Sequence, residues 1–188
     1  MSSGVSQTDI YNRALTKLGS ELISSPTQNV DRARVLDAMY PIVRDSVLRD
    51  NPWNFAVKRT ILAVSGTTPA WEWGYQFLLP SDFIMLMEVK DQEKYKIEGE
   101  YILTDQENNL NIKYIYRNED TAKYDSLFVE ALACKLAFEA CERITQSNTK
   151  KENLERDYET AMSKAKMRDG YEDDPRDYIE DDWVTARL

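Results

Sequence analysis

Apolar residues recur three and four positions apart near the start of the chain, the spacing of one face of a helix. Ser6 and Asp9 have the spacing of a capping box, and Gly19 follows the last apolar position as a helix stop. These signals predict a short first helix, whose apolar face consists of Ile10, Ala14, Leu15 and Leu18.

The same spacing over residues 30–47 predicts a second helix, which Asn29 can cap. Asn51 and Pro52 should end it, because a residue that precedes proline avoids the helical conformation. Pro41 lies inside the pattern and is expected to kink or split this helix, since it lacks an amide hydrogen.

The apolar period changes towards two between residues 57 and 117, which indicates β-strands. It is clearest in Leu110, Ile112 and Tyr114, which alternate with polar residues. Glycines, prolines and other turn-forming residues separate the remaining short apolar runs. We therefore expect a small antiparallel β region inserted between helices at about residues 57–117.

Helical spacing returns near residues 122–146, and Thr149 with Glu152 gives a capping-box spacing for a fourth helix. Two helices joined by a short polar turn predict an antiparallel hairpin. Cys134 and Cys141 lie seven residues apart on the third helix, which separates their Cα atoms by about 10 Å. That distance is too long for a disulfide, so both are expected to be small buried side chains.

Residues 169–188 contain eight acidic residues and two arginines, a composition that favours an extended segment. The segment nevertheless holds more apolar residues than a purely solvating tail needs. We predict that these side chains contact a partner: Tyr171, Tyr178, Ile179, Trp183, Val184 and Leu188.

The combined pattern predicts a mainly α protein, an antiparallel α-helical bundle with a small inserted antiparallel β region and an extended C-terminal tail. The helices occupy about residues 6–50 and 122–168 of a domain at 1–168. The acidic tail at 169–188 is expected to remain outside the core.

The formal net charge of −9 argues against a nonspecific grip on DNA phosphates, which needs clustered lysine and arginine. An acidic surface suits a channel through which a duplex slides. No run of about 18 apolar residues could span a bilayer, and the start of the sequence shows no secretory signal. Synthesis in a bacterial cytoplasm is therefore expected.

The sequence contains no histidine, which removes Ser-His and Cys-His nucleophile pairs and the commonest metal ligand. It also lacks a glycine-rich phosphate-binding loop. The carboxylate pairs that could do acid-base work or hold Mg²⁺ are Asp173 with Asp174, Asp181 with Asp182, and Asp105 with Glu107. Such charge runs are usually solvated, so we expect no catalytic residue, no metal site and no cofactor.

Trp71, Trp73 and Tyr75 crowd into the sequence WEWGY, where they could stack on bases or sugars. Sites for single-stranded nucleic acid combine such aromatic residues with a basic groove. Few basic residues accompany this cluster in the sequence, so packing beneath a loop is the favoured interpretation.

Five segments, in order along the chain, resemble the tail tubular protein A family of short-tailed bacteriophages and related head-completion adaptors. They are residues 12–19 (NRALTKLG), 51–56 (NPWNFA), 79–83 (LPSDF), 97–105 (IEGEYILTD) and 128–137 (FVEALACKLA). Two of these segments look like packing signals, since one stops a helix and buries aromatics and another makes a proline-led turn. The residues expected to have this structural role are Asn51, Pro52, Trp53, Phe55, Leu79 and Pro80.

The resemblance implies a structural head-to-tail adaptor, or connector, that is not an enzyme. Such a protein forms a ring with copies of itself, typically dodecameric, between the portal protein and the next tail component, of the nozzle or tail tubular protein B type. The ring extends the DNA channel, and DNA passes through its lumen without specific binding. The implied location is the head–tail junction of the virion, without contact to a membrane.

Two alternatives belong to other functional classes. A small non-enzymatic helical regulatory or nucleic-acid-binding module would show a basic face and salt-dependent affinity for DNA. A divalent-ion hydrolase built on the acidic tail would depend on Asp173 and Asp174. The acidic balance of the chain argues against the first, and the solvated character of charge runs against the second.

Overall fold

The computed structural model describes residues 4–90 and 94–172, of which 169–172 are described by their backbone only. Within these residues the chain forms four α-helices and six β-strands. The helices are α1 (Gln7–Leu18), α2 (Asp31–Asp50), α3 (Ser126–Thr145) and α4 (Asn148–Glu172). The strands are β1 (Val57–Leu62), β2 (Tyr75–Leu78), β3 (Phe83–Val89), β4 (Lys96–Glu98), β5 (Tyr101–Thr104) and β6 (Leu110–Tyr116).

The strands build two antiparallel sheets of three strands each. In the first sheet β6 lies between β1 and β3, and in the second sheet β5 lies between β2 and β4. A single bridge from Val64 to Phe77 connects the chain after β1 to β2. The two sheets are therefore neighbours, and together they form what we call the β region, residues 57–116.

The prediction of a mainly α protein is wrong, because the chain is a mixed α/β protein. The β region encloses a hydrophobic core of its own, made of Leu62, Phe77, Val89, Ile102, Leu110, Ile112 and Tyr114. Most strands contribute only one or two residues to this core. Such short apolar runs do not by themselves predict a separate core. The shared core forms only where the two sheets face each other.

The helix ends follow the sequence signals closely at α1 and less closely at α2. The Ser6 Oγ accepts a hydrogen bond from the Asp9 amide at 3.2 Å, and the Asp9 carboxylate accepts one from the Ser6 amide at 2.9 Å. Gly19 ends α1 in the left-handed conformation, at φ 65°. By contrast, α2 begins after Val30 without a side-chain cap, and it continues through Pro41 without a break.

The helices pack into a larger core that also takes in one face of the first sheet. Ile115 on β6 and Ile84 on β3 are buried in this helical core, and Val57 on β1 packs against it. The opposite face of β6 belongs to the core of the β region through Ile112 and Tyr114. The first sheet thus separates the two cores and holds them in one body.

α3 and α4 form the predicted antiparallel hairpin, which makes the most extensive contact between helices in the described chain. α4 continues to Glu172, four residues into the segment that the sequence pattern assigned to an extended tail. That part of the tail prediction is wrong, since the backbone of residues 169–172 is helical.

Candidate interaction surfaces

An aromatic cluster joins the helices to the β region. Asn51 is buried directly after α2, and Trp53 is buried with its Nε1 donating a hydrogen bond to the Val47 carbonyl at 2.8 Å. The Trp53 and Phe55 rings lie 5.1 Å and 5.0 Å from the ring of Phe128 on α3. Edge-to-face aromatic packing of this kind fixes the direction in which the chain leaves α2 and enters β1.

Pro52, the other residue of this segment, is exposed. Leu79 and Pro80 lie in the turn between β2 and β3, where the Leu79 amide donates a hydrogen bond to the Glu100 carbonyl at 2.8 Å. The Phe83 amide donates one to the Pro80 carbonyl at 3.0 Å, which closes the turn. The structure therefore places both sequence segments at joints between elements.

Asp82 lies in this turn, and its side chain links β1 to β6. Its carboxylate accepts hydrogen bonds from the Lys58 ammonium at 2.8 Å and from the Tyr114 hydroxyl at 2.9 Å. Partial burial opposes ionisation of Asp82, but the hydrogen bonds from Lys58 and Tyr114 outweigh it and lower the pKa of this carboxyl. Asp82 is thus a charged structural residue of the first sheet.

Two further ionic contacts were not foreseen from the sequence. Glu130 on α3 pairs with Arg13 and with Lys17 of α1, the latter at 2.7 Å. Burial opposes ionisation of Glu130, yet the hydrogen bonds from Lys17 and Arg13 prevail and lower its pKa. The second contact joins α2 to the residue after β6: the Asp45 carboxylate accepts a hydrogen bond from Arg117 at 2.7 Å. Partners this distant in sequence give no periodic signal.

The loop between β1 and β2 carries the WEWGY aromatic cluster. Trp71 is 77% exposed, so the interpretation that it packs beneath a loop is wrong. Trp73 is half-buried over the outer face of the second sheet, where it shares a cavity of about 300 Å³ with Trp71 and Tyr101. The Asp105 carboxylate accepts a hydrogen bond from the Gly74 amide at 3.0 Å and so anchors the end of this loop.

Exposed large apolar side chains are concentrated in the β region. Five of the eight that the described residues contain lie there, although the β region is the smaller part of the fold. The five are Ile61, Trp71, Leu78, Tyr95 and Ile97, and the other three are Leu22, Ile42 and Met167. Each of these side chains could contact a partner.

A basic groove of about 340 Å³ opens on the first sheet, beyond the part that the helices cover. We define the basic groove by Arg59 and Ile61 of β1, Glu88 and Lys90 at the end of β3, and Lys113 of β6. Arg59 lies opposite Lys113 there, and Glu88 is the cross-strand neighbour of Lys113 on the other side, in a chain whose formal net charge is −9. No local sequence pattern marks this groove, because its residues come from three separate segments of the chain.

Most of the residues predicted to contact a partner lie outside the described residues: Tyr178, Ile179, Trp183, Val184 and Leu188. Tyr171 lies near the end of α4, where only the backbone is described. The carboxylate pairs at 173–174 and 181–182 also lie outside the described residues.

Within residues 4–90 and 94–172, no cluster of three metal-ligating side chains occurs. In the same residues no helix has the length and apolar character needed to cross a membrane. Both cysteines are buried, and burial raises the pKa of the Cys134 thiol to about 11. At neutral pH Cys134 is therefore protonated, whereas the thiolate is the nucleophilic form.

Comparison with known proteins gives no family assignment. Neither a search of protein-family models nor one of curated proteins finds a match to this sequence.

Proposed function

We propose that the protein is a structural head-to-tail adaptor of a short-tailed bacteriophage, which forms a ring with copies of itself between the portal protein and the next tail component. Its function then resides in interfaces and in a DNA channel. The five segments that resemble the tail tubular protein A family support this proposal. Two of them, at residues 51–56 and 79–83, form the joints that hold the β region on the helices.

The observation that carries the proposal is the concentration of exposed apolar side chains on the β region. Trp71 and Ile61 expose 77% and 65% of their surface, and burial of such groups against a partner is favourable. Tryptophan is also among the residues that contribute most to binding when they become desolvated at an interface. A region with such anchors, whose first sheet packs on the helices through Ile84 and Ile115, suits a subunit that must contact several neighbours.

Electron microscopy of the protein mixed with its portal protein tests this proposal directly. We expect a second ring stacked on the portal ring, and a monomer when the protein alone is measured by light scattering after gel filtration. Trp71→Ala should weaken ring formation, while Ile42→Ala, which removes an equally exposed side chain from α2, is the matched control. Portal rings that remain bare at saturating protein would contradict the adaptor function.

The predicted partner contacts in residues 171–188 belong to the same proposal. We infer that Trp183 anchors this segment on the portal or on a neighbouring subunit, since a buried tryptophan contributes about 2–4 kcal/mol to such contacts. Trp183→Ala should reduce co-sedimentation with portal and leave thermal melting unchanged. Normal co-sedimentation of this variant would contradict the proposal that Trp183 anchors the segment.

The basic groove favours one competing function, binding of nucleic acid by a regulatory module. Arg59 and Lys113 could contact phosphates there, and such contacts give a weak and strongly salt-dependent affinity. Fluorescence anisotropy of a labelled DNA duplex at low salt separates the two functions. An adaptor should show no change in anisotropy, and binding that weakens steeply as salt is raised would favour the nucleic-acid module.

A further inference from the structure

The cavity beside the WEWGY cluster combines aromatic rings with polar groups. Trp71, Trp73 and Tyr101 line it, and its volume of about 300 Å³ lies at the lower end of the range for cavities that hold small molecules. Trp71 is 77% exposed, so its ring offers an aromatic face at the rim. Since Trp71 does not pack beneath the loop, bases and sugars remain as ligands on which this cluster could stack.

The charges around the cavity argue against nucleic acid. Glu72 and Glu98 belong to its lining, and none of the described residues in that lining is basic. The Lys96 ammonium pairs with the Glu98 carboxylate at 2.7 Å, which leaves Glu72 as the net negative charge. Binding of nucleic acid depends on basic groups that neutralise phosphates, and here a phosphate would be repelled.

The hydrogen-bonding groups of the lining include both acceptors and a donor. The carboxylates of Glu72 and Glu98 only accept, and Gln76, whose Nε2 donates to the Thr67 hydroxyl at 2.7 Å, keeps its amide oxygen as a further acceptor. Trp73 Nε1 is a donor, and it is buried without an acceptor among the described residues. A cation satisfies only acceptors, and an anion only donors. Hydroxyl groups both donate and accept, so a neutral ligand rich in hydroxyl groups matches the whole set.

The loop that carries the two tryptophans has a strained and fixed backbone. Glu72 lies between them at φ 72°, a left-handed conformation that residues other than glycine rarely adopt, and the Trp73 amide donates to the Trp71 carbonyl at 2.9 Å. Strain of this kind persists where surrounding contacts impose it, and it is concentrated at ligand sites. The hydrogen bond from the Gly74 amide to Asp105, which follows β5, ties the loop to the second sheet. The backbone of the cavity wall is therefore formed in the absence of a ligand.

We propose that this cavity binds a neutral saccharide, with one sugar ring against Trp71 and its hydroxyl groups on Glu72 and Gln76. The C–H groups of a pyranose ring form an apolar face, which suits an exposed indole. Hydrogen bonds from the sugar hydroxyls to a carboxylate are stronger than those to a neutral acceptor. The volume of the cavity suits one or two sugar rings.

The saccharide site goes beyond the adaptor function and does not depend on it. A partner that covers Trp71 in a ring would compete with the sugar for the same aromatic face. Sugar binding is accordingly measured on the protein alone, where failure of ring formation has no influence on the result.

Saturation-transfer difference NMR of the full chain with three neutral oligosaccharides tests the proposal. The probes are cellotetraose, maltotetraose and chitotetraose. We expect transfer to the ring C–H protons of at least one of them, with an affinity that does not change with salt, because a neutral ligand forms no ion pair. Absence of transfer to all three would overturn the proposal.

Substitutions at Trp71 locate the binding site. Trp71→Ala should lower the affinity about tenfold, and Trp71→Phe should retain most of it because an aromatic face remains. Ile61→Ala, which removes an exposed side chain from the first sheet, is the matched control and should leave the affinity unchanged. Trp71 is mostly exposed, so the variants should fold, and thermal melting verifies this. Equal affinity of Trp71→Ala and the unchanged protein would overturn the assignment to this cavity.

Substitution of Glu72 separates a saccharide from a peptide ligand. Glu72→Gln should lower the affinity for the oligosaccharide several-fold, whereas Glu100→Gln, at an exposed position in the turn between β4 and β5, should leave it unchanged. Tetralysine and hexaproline serve as peptide probes. Tighter binding of tetralysine that is lost in Glu72→Gln would overturn the proposal in favour of a basic peptide. Tighter binding of hexaproline would overturn it in favour of a proline-rich peptide, since aromatic grooves also bind extended proline segments.

Discussion

The helical part and the β region of this molecule differ in how much of their apolar surface they bury. The helices bury a large core with an aromatic cluster, and ion pairs such as that of Lys17 with Glu130 bind α1 to α3. The β region buries a smaller core between two short sheets and leaves Trp71 and Ile61 exposed at its surface. The helices therefore bury the larger core, and the β region exposes most of the large apolar side chains of the described residues.

The largest expected effect follows from Trp53→Ala in the aromatic cluster. Removing a fully buried indole, its contacts with Phe128 and its hydrogen bond to Val47 should lower the free energy of unfolding by about 4 kcal/mol. Urea denaturation followed by circular dichroism measures this change. A loss below about 1 kcal/mol would contradict the view that this cluster joins the two regions.

A smaller and more local effect is expected from Phe77→Ala in the core of the β region. The buried Phe77 ring should contribute about 3 kcal/mol to the stability of the two sheets. Because this core is small, we expect amides of β2 and β5 to exchange with solvent much faster in the variant, while amides of α3 keep most of their protection. Native-state hydrogen exchange provides the measurement. An equal loss of protection in both regions would show that they unfold as one unit.

Glu130→Gln tests the ionic contact between α1 and α3. The carboxylate keeps about a quarter of its surface in solvent, so we expect a loss of about 1 kcal/mol at pH 7. Its pKa is lowered in the folded protein, so its contribution is complete above the ordinary value of 4.5 and disappears as the pH falls through the folded pKa. Denaturation curves of both proteins should therefore converge under acidic conditions. A difference that persists unchanged at low pH would assign the effect to packing.

Trp71→Ala is the counterpart of the Trp53 substitution and should change stability least. The side chain is mostly exposed, so the free energy of unfolding should change by less than about 0.5 kcal/mol. Association with portal should weaken about tenfold if Trp71 is an interface anchor. Sedimentation with portal and urea denaturation of the same preparation give both values. A stability loss as large as that of Trp53→Ala would place Trp71 in the core of the β region.

The helix hairpin and the structural joints were predictable because their signals are local. The capping box at Ser6, the stop at Gly19 and the helix end at Asn51 each depend on residues within one turn of each other. The alternation in β6 likewise predicted a strand with two distinct faces. Neither the second core nor the basic groove could be predicted in this way, since each collects residues from separate strands.

The sequence by itself determined the helices, the presence of strands, the aromatic segment after α2 and the acidic character of residues 173–188. Periodicity and capping act over a few residues, and a single chain displays them directly. Only the tertiary structure decided that the protein is α/β, that Trp71 is exposed, and that Arg59 and Lys113 lie side by side. These features depend on which strands pair and which faces meet, and pairing between distant segments leaves no periodic trace in the residues of either one.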